Sequence, residues 1–473
     1  MNKKVLIMGA GPAGLGAASE LTKNYVYPIL IDKDKQAGGL SKTIEKNGYH
    51  FDLGGHRFFT KIPEVTELWQ KTLGEDFLTR PRISRIYYRN KFFKYPIELK
   101  NVLKNLGFLE SAACLGSYIN SKFFPYKKEK TFDKWVSNRF GKRLYKHFFK
   151  SYTKKLWGIP CNQIQAEFAA QRIKNLSLWG AIKNALPFGE KGNIKSLIDK
   201  FHYPKYGPGM MYSTVAKNVE ERGTEIKFKN EVQEINYEGN KVKSILTENE
   251  NGHKIIETDY LLSSIPITEL IKKMRPKAPQ RVINAAANLT YRSFVTINII
   301  YKKKNTLEDT WLYIHSPEVK LGRVQIFNNW SPYMVKNKNY TSLGLEYFCT
   351  EGDEIWDMPE NKLAKLADSE VKKIGLMDKK AKIFQTSYGR YAKAYPTYDP
   401  GYIKNLKIIK DYLESFKNLQ PIGRYGMFRY NNMDHSILTG ILAARNIILG
   451  KKKYDIWDVN EDQEYHEEKR KKQ

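Results

Sequence analysis

The chain has 473 residues, with 80 Lys and Arg against 50 Asp and Glu, a formal charge of +30 at pH 7. That length accommodates roughly two to four domain-sized units around a large buried core. A content of 41% hydrophobic and 27% charged residues excludes collagen-like, disordered and disulfide-stapled chains. Cys114, Cys161 and Cys349 are far apart and none forms a C-x-x-C pair, which leaves no disulfide framework or zinc ribbon and points to a reducing cytoplasm. No cluster has metal-ligand spacing, so no metal is expected.

In chain order, Met1–Lys4 followed by Val5–Met8 has the outline of a signal peptide, yet it runs directly into Gly9-Ala10-Gly11-Pro12-Ala13-Gly14. A glycine fingerprint must stay attached to work, so Val5–Met8 reads as a first strand. Leu15–Leu21 carries helical spacing, and Ile29–Asp32 is a second strand. In this strand–turn–helix–strand setting Gly9 permits the tight turn, Gly11 lets backbone approach a pyrophosphate and Gly14 allows close helix packing. The helix N-terminus then faces phosphates, and Asp32, 18 residues after Gly14, is placed to accept from a ribose hydroxyl.

From about 98 to 200 the pattern becomes helical and basic, with Phe132, Trp135, Phe140, Leu144, Phe148 and Phe149 at helical spacing. Between Ser121 and Pro160 there are 12 Lys and Arg against 2 Asp and Glu. Such a patch attracts anionic substrates or the anionic face of a membrane, though a solvated helical face is the commoner meaning. No zinc finger or RNA-recognition signature accompanies it, so nucleic acid is not expected. Phe108–Phe124 is moderately amphipathic, with Lys122, Lys127, Lys128 and Lys130 close by. It reads as a domain-packing helix by default and as an interfacial helix, giving peripheral membrane contact, in the sharper alternative. No apolar run approaches the roughly 18 residues of a membrane span.

Thr224–Glu250 shows strand alternation broken at Glu238-Gly239-Asn240, and Tyr260–Pro266 reads as a buried strand. Ser293–Tyr301 alternates cleanly and, with 311–315, 323–327 and 343–349, predicts a largely antiparallel sheet. Asp434-His435-Ser436 precedes an amphipathic helix that ends at Gly450, and the tail after Asp458 is polar.

After Asp32 comes Gly38-Gly39-Leu40-Ser41, then an alternating strand pair reaching Gly54-Gly55-His56. This resembles the glutathione-reductase-like flavoproteins, a class that includes amine oxidases, phytoene desaturases, protoporphyrinogen oxidases and UDP-galactopyranose mutases, and it implies FAD. The chain most resembles the mutases, their eukaryotic-type branch above all. The anchors are Gly54-Gly55-His56, Arg82-Ile83-Ser84, Tyr95-Pro96, Thr131–Trp135, Trp157-Gly158-Ile159-Pro160, Trp311-Leu312-Tyr313, Ile326–Tyr333, Tyr395-Pro396-Thr397, Gly423-Arg424-Tyr425-Gly426, and Arg429-Tyr430 with Asn432 and Asp434-His435-Ser436. The fold implied is α/β. A Rossmann-like FAD-binding domain (1–97, 205–275, 386–458) is interleaved with a helical insertion (98–204) and an antiparallel β-sheet substrate domain (276–385), and 459–473 forms a polar tail.

By the same resemblance the chain interconverts pyranose and furanose forms of a diphosphate-linked sugar, with N5 of reduced FAD attacking the anomeric carbon as the diphosphate leaves. Arg172 and Arg323 match the diphosphate-contacting arginines, and Tyr395 and Tyr430 the phosphate-binding tyrosines. Tyr95 and Trp157 match the nucleotide end. Arg424 and Asn432 match residues near flavin and sugar, and His56 faces the isoalloxazine. Gly9, Gly11, Ala13, Gly14, Asp32, Gly39, Leu40, Ser41, Gly55, Asp434 and Ser436 complete the cofactor set. An external reductant, NADPH or NADH or another donor, is implied, with Arg82 and Ser84 near its entrance, and a homo-oligomer is implied as the assembly.

At the nucleotide end the chain departs from the family. Ile97 and Glu98 stand where an aromatic and an amide are expected, Thr153 where an asparagine is, and the spacing from Tyr430 to Asn432 is two residues short. A carboxylate cannot offer the paired donor and acceptor by which an amide reads uracil, so another activated sugar is open. The segment 184–198, matching the family's mobile substrate loop, diverges as well. The competing expectation is a redox enzyme of the amine-oxidase or desaturase kind, and the pocket discriminates: converging arginines and tyrosines favour a diphosphate, an apolar cage favours oxidation.

Overall fold

The computed structural model describes residues 3–95, 99–166 and 200–460. Arg172, Ile97, Glu98, the segment 184–198 and the tail from 461 lie outside the described residues. Val5–Met8 forms the centre of a five-stranded parallel sheet in the order Leu419–Pro421, Tyr260–Ser263, Val5–Met8, Ile29–Ile31, Glu225–Lys227. A strand buried on both faces reads as a continuous apolar run, which is why Val5-Leu6-Ile7-Met8 shows no alternation.

The helix Pro12–Lys23 crosses from the first strand and packs against the helix Met433–Leu449. Their contact is close. A Cβ on Gly440 would sit 2.0 Å from the Ala13 carbonyl, and one on Gly16 2.8 Å from the Ile437 carbonyl. Gly14 lets the same helix close on its own strand and turn: its Cβ would lie 1.9 Å from the Gly9 carbonyl and 3.2 Å from the Ile7 side chain, and Gly9 itself has φ +105°. Gly16 and Gly440 make the contact between the two helices.

A second sheet has seven strands in the order Ile383–Pro396, Tyr291–Tyr301, Thr341–Cys349, Arg323–Ile326, Trp311–Ile314, Ser84–Tyr88, Lys91–Lys94. All its pairings are antiparallel except that of Trp311–Ile314 with Ser84–Tyr88. The division expected between 385 and 386 is corrected here, because Ile383–Pro396 is one continuous strand laddered to Tyr291–Tyr301. Two strands of the expected first segment, within 84–94, also belong to this sheet. Along Tyr291–Tyr301 the alternation separates two covered faces: Val295, Ile297, Ile299 and Tyr301 share a core with Leu363, Ala367 and Val371 of the helix Glu360–Lys373, while Phe294 joins the other core.

Among the described residues the insertion carries the helices Leu99–Leu106, Phe108–Phe123, Phe132–Phe140 and Ser151–Trp157, with a π-helical turn over Tyr145–Lys150. Its last residues, Lys200–Pro204, are a strand paired with Phe77–Pro81. Beside that strand the hairpin Thr43–Lys46/Tyr49–Asp52 leads into Gly54-Gly55-His56. Asp52 is buried at its base and accepts from the hydroxyls of Tyr203 and of Thr43, the latter at 2.8 Å.

Two measurements test this packing. No atom of the main chain can give way to a Gly440 methyl, so Gly440→Ala lowers the unfolding free energy by about 2–3 kcal/mol. Gly116, with open space around its missing Cβ, gains about 0.5–1 kcal/mol on Gly116→Ala, both read by denaturant melts. Burial pushes the Asp52 carboxyl up to about 7. The unfolded chain loses that proton near pH 4 while the folded chain keeps it, so stability falls as pH rises from about 4 to 7, by roughly 4 kcal/mol at most. Asp52→Asn flattens this slope in melts across that window.

Candidate active site

One cavity of about 2470 Å³ takes its wall from both sheets and from the insertion. That is well above the volume of a site for a single drug-sized ligand, roughly 300–1,000 Å³, and leaves room for a dinucleotide and a substrate together. The fingerprint lies at one part of the wall. Gly9, Gly11, Ala13, Asp32, Gly39, Leu40 and Ser41 line it, and Gly14 stands behind. No side chain caps the helix Pro12–Lys23, so its amino end is open to an anion. Gly38 and Gly39, at φ +111° and +54°, bring the next turn against Gly11; a Cβ on Gly39 would lie 3.3 Å from the Gly11 Cα. Asp32 accepts from the Ala10 N–H at 2.7 Å and the Asp34 N–H at 2.8 Å. Burial raises its pKa, and each carboxylate oxygen keeps acceptor capacity.

Further along the wall Arg323, one-fifth exposed, lies opposite the fully buried Glu346 in the antiparallel ladder, and their side chains form an ion pair at 2.6 Å. Nη2 of Arg323 also donates to the Tyr395 hydroxyl at 2.7 Å. Burial works against the guanidinium charge, and Glu346 with the surrounding phenols more than offsets it, holding the Arg323 proton more firmly than usual. The rings of Tyr395 and Tyr430 stack at 5.7 Å and 14°, with Trp157 edge-on to both at 6.3 and 6.4 Å. The Arg424 guanidinium sits over Tyr430 at 4.7 Å and Tyr395 at 5.7 Å. It donates to the carbonyls of Asn431 at 2.8 Å and Ala394 at 3.4 Å, and among the described residues no carboxylate pairs with it.

His56 is half-buried between these cations, with its Nδ1 inside. Burial first, then the charges of Arg424 and Arg323, push its imidazole down to about 3, so it is neutral at pH 7. Its Nδ1 has no hydrogen-bond partner. Gly55 lets the loop lie flat on Trp330 and Gln325, a side chain that in turn donates to Glu346. Burial lifts the Tyr395 phenol to about 12, keeping it a proton donor.

Asp434 and Ser436 line the cavity in the first turn of the helix Met433–Leu449, and both Asp434 carboxylate oxygens are buried without a hydrogen-bond partner. Asn432 also reaches the cavity wall, but its side chain accepts from the N3 amide in a reciprocal cap with His435. Asn432 therefore also caps the helix that carries Asp434 and Ser436. Tyr95 stands edge-on to Tyr313 at 5.3 Å, and Tyr152 stacks on His315 at 4.4 Å, giving an aromatic wall beyond Arg323. Thr153 is buried beside it, and Arg82 and Ser84 lie outside the cavity lining, with Arg82 over the Tyr95 ring at 5.6 Å.

The structure therefore brings together His56, Arg323, Tyr395, Tyr430, Arg424, Trp157 and Tyr95. It adds Glu346, Gln325 and Tyr152, which sequence reasoning missed. Glu346 had a signal, a lone acid in the otherwise uncharged strand Thr341–Cys349, where burial demands a partner. Tyr152, one of 31 tyrosines, had none.

The residues present fit a flavin dinucleotide. An open helix end suits a pyrophosphate, the two orphaned acceptors of Asp434 suit the hydroxyls of a polyol chain, and the orphaned Nδ1 of His56 suits the polar edge of a ring.

Comparison with known proteins agrees. The family described as flavin containing amine oxidoreductase matches residues 12–448. A crystal structure of reduced UDP-galactopyranose mutase superposes with a TM-score of 0.84 at 23% identity, covering 97% of this chain and 98% of the other. This bears out the expected mutase-like α/β fold. A 1-hydroxycarotenoid 3,4-desaturase of Flavobacterium sp. (strain P99-3) is 24% identical over 358 residues, 70% of either chain. A probable UDP-galactopyranose mutase of Klebsiella pneumoniae is 26% identical over 174 residues, 35% of this chain and 44% of that protein. With the match running from the fingerprint helix to the end of the helix that packs on it, the chain belongs to the flavin-containing amine oxidoreductase family.

Proposed function

We propose that the protein is a flavin-dependent sugar mutase that interconverts the pyranose and furanose forms of a sugar carried on a nucleotide diphosphate, UDP-galactose-like in class. What carries this is the meeting of Arg323, Tyr395, Tyr430 and Arg424 with His56 in one cavity with the glycine fingerprint. When bound and reduced, FAD supplies a nucleophilic N5 for the anomeric carbon, so the protein needs no nucleophile of its own. Its own residues receive the leaving diphosphate. Arg323 is held in place by Glu346, and the Tyr395 phenol stays protonated at pH 7. Arg424 brings a positive charge that no carboxylate among the described residues cancels. Donors fixed before the charge develops stabilise it without reorganising. Neutral His56 adds no competing charge, and Tyr95, Tyr152, Tyr313 and Trp157 offer faces for a base. The chemistry requires an external two-electron donor, NADPH or NADH or another reductant, in a cytoplasmic setting.

A second reading has its own observation. Val102, Leu103, Leu115, Phe140, Leu144 and Phe148 line the same cavity, an apolar arm that suits a desaturase-type oxidoreductase. One assay separates the two. Protein loaded with FAD and reduced by dithionite is incubated with UDP- and TDP-pyranoses, and nucleotide sugars are resolved by chromatography. Furanose product with no net change in flavin absorbance supports the mutase; no isomerisation, together with substrate-dependent bleaching of the oxidised protein by an apolar polyene, overturns it.

Tyr395→Phe keeps the stacking on Tyr430 and removes one donor to the departing charge. It lowers kcat by about 100-fold or more while the melting temperature holds, because the lost interaction is made in the transition state.

A further inference from the structure

The helix Phe108–Phe123 turns its apolar residues outward. Phe108, Ala112, Leu115, Ile119 and Phe123 recur at the spacing of one helical face and all are exposed, Phe108 by 83% and Phe123 by 75%. Leu109 and Phe124 flank the stripe, exposed by 84% and 77%. A contiguous apolar edge of this kind marks an interaction surface. The helix is not loosely held. Cys114, Tyr118 and Ser121 are buried on its opposite face, and Glu110 takes Arg143 at 2.6 and 2.7 Å with His147 Nε2 at 2.6 Å. Gly141 lies against Tyr118 so closely that a Cβ would come within 2.8 Å of its backbone nitrogen. The orientation is fixed, and the apolar edge faces out of the fold.

Charge selects the occupant. Lys122, Lys127, Lys128 and Lys130 are exposed at the end of the same helix and just after it, in a region with 12 Lys and Arg against 2 Asp and Glu. Two copies of this chain joined through the stripe would bring two such regions together, and like charge opposes that. A surface that is anionic and apolar at once satisfies both features.

We propose that the helix Phe108–Phe123 seats the protein on an anionic phospholipid bilayer, its Phe and Leu edge at the boundary of headgroups and acyl chains and its lysines on the phosphates. Leu103, Phe108, Ala112 and Leu115 also line the cavity that reaches Arg323 and the fingerprint. Seated this way, the apolar arm of the cavity meets the bilayer, and a substrate with an acyl or prenyl tail enters without crossing water. The docking holds whether the cavity isomerises a sugar or oxidises a polyene.

Vesicle co-sedimentation of the full chain tests it. Binding to phosphatidylcholine vesicles carrying about one-third phosphatidylglycerol exceeds binding to phosphatidylcholine alone by more than about tenfold, and weakens when salt is raised to about 1 M. Leu109→Glu with Phe123→Glu abolishes it. Lys127→Glu with Lys128→Glu reduces it by more than about tenfold. Ile255→Glu, at an exposed apolar residue in a strand of another sheet, leaves it as in the parent, and circular dichroism confirms that each variant folds. The proposal is overturned if the parent chain does not sediment with anionic vesicles or if the Leu109/Phe123 variant binds as well. It is also overturned if light scattering shows a dimer that this variant dissolves, which would assign the stripe to a second copy.

Discussion

The site depends on the ion pair of Arg323 and Glu346. Two charges taken out of water are costly unless their geometry is good and their remaining hydrogen bonds are made. Here the two residues face one another in the ladder, Gln325 donates to Glu346, Arg323 donates to the Tyr395 hydroxyl, and His56 stays neutral beside them, while Nε of Arg323 is buried without a hydrogen-bond partner. A slip of one residue in this register would turn Arg323 away from Glu346 and leave a carboxylate buried alone. The pair thus specifies strand register as well as the position of a cation in the cavity.

Around that pair the fold assembles three different environments in one cavity. The fingerprint turn offers backbone amides and a ribose acceptor, the sheet offers arginines and phenols, and the insertion offers apolar walls. Each suits one part of a compound ligand set: a dinucleotide, a diphosphate, and an apolar tail. The close contact of Gly16 and Gly440 holds the helix of the fingerprint against the helix that carries Asp434 and Ser436.

The same insertion that supplies the apolar wall also supplies the exposed stripe of Phe108–Phe123. Phe108, Ala112 and Leu115 are shared between the two. A helix of this length has room to present different arcs of its surface to a core, a cavity and an outside partner, and Glu110 sets which arc faces which by clamping Arg143 and His147.

Much was legible in the chain before any fold was known. Val5–Met8, the fingerprint, Ile29–Asp32 and the long amphipathic helix ending at Gly450 depend on local rules: which residues tolerate a left-handed turn, which recur on one face, which cap an end. The strands within 291–349 were legible for the same reason. Other features depend on partners distant in sequence. Glu346 becomes meaningful only opposite Arg323, Tyr152 only against His315, and Asn432 is a cap because His435 turns back on it. The strand Ile383–Pro396 runs through an expected domain boundary because its ladder with Tyr291–Tyr301, about ninety residues away, outweighs anything in the local pattern. Amphipathic spacing in Phe108–Phe123 says that one face is apolar and is silent on whether that face points inward. Periodicity is a property of the helix alone, whereas burial is a property of what packs on it, and only the tertiary structure decides the second.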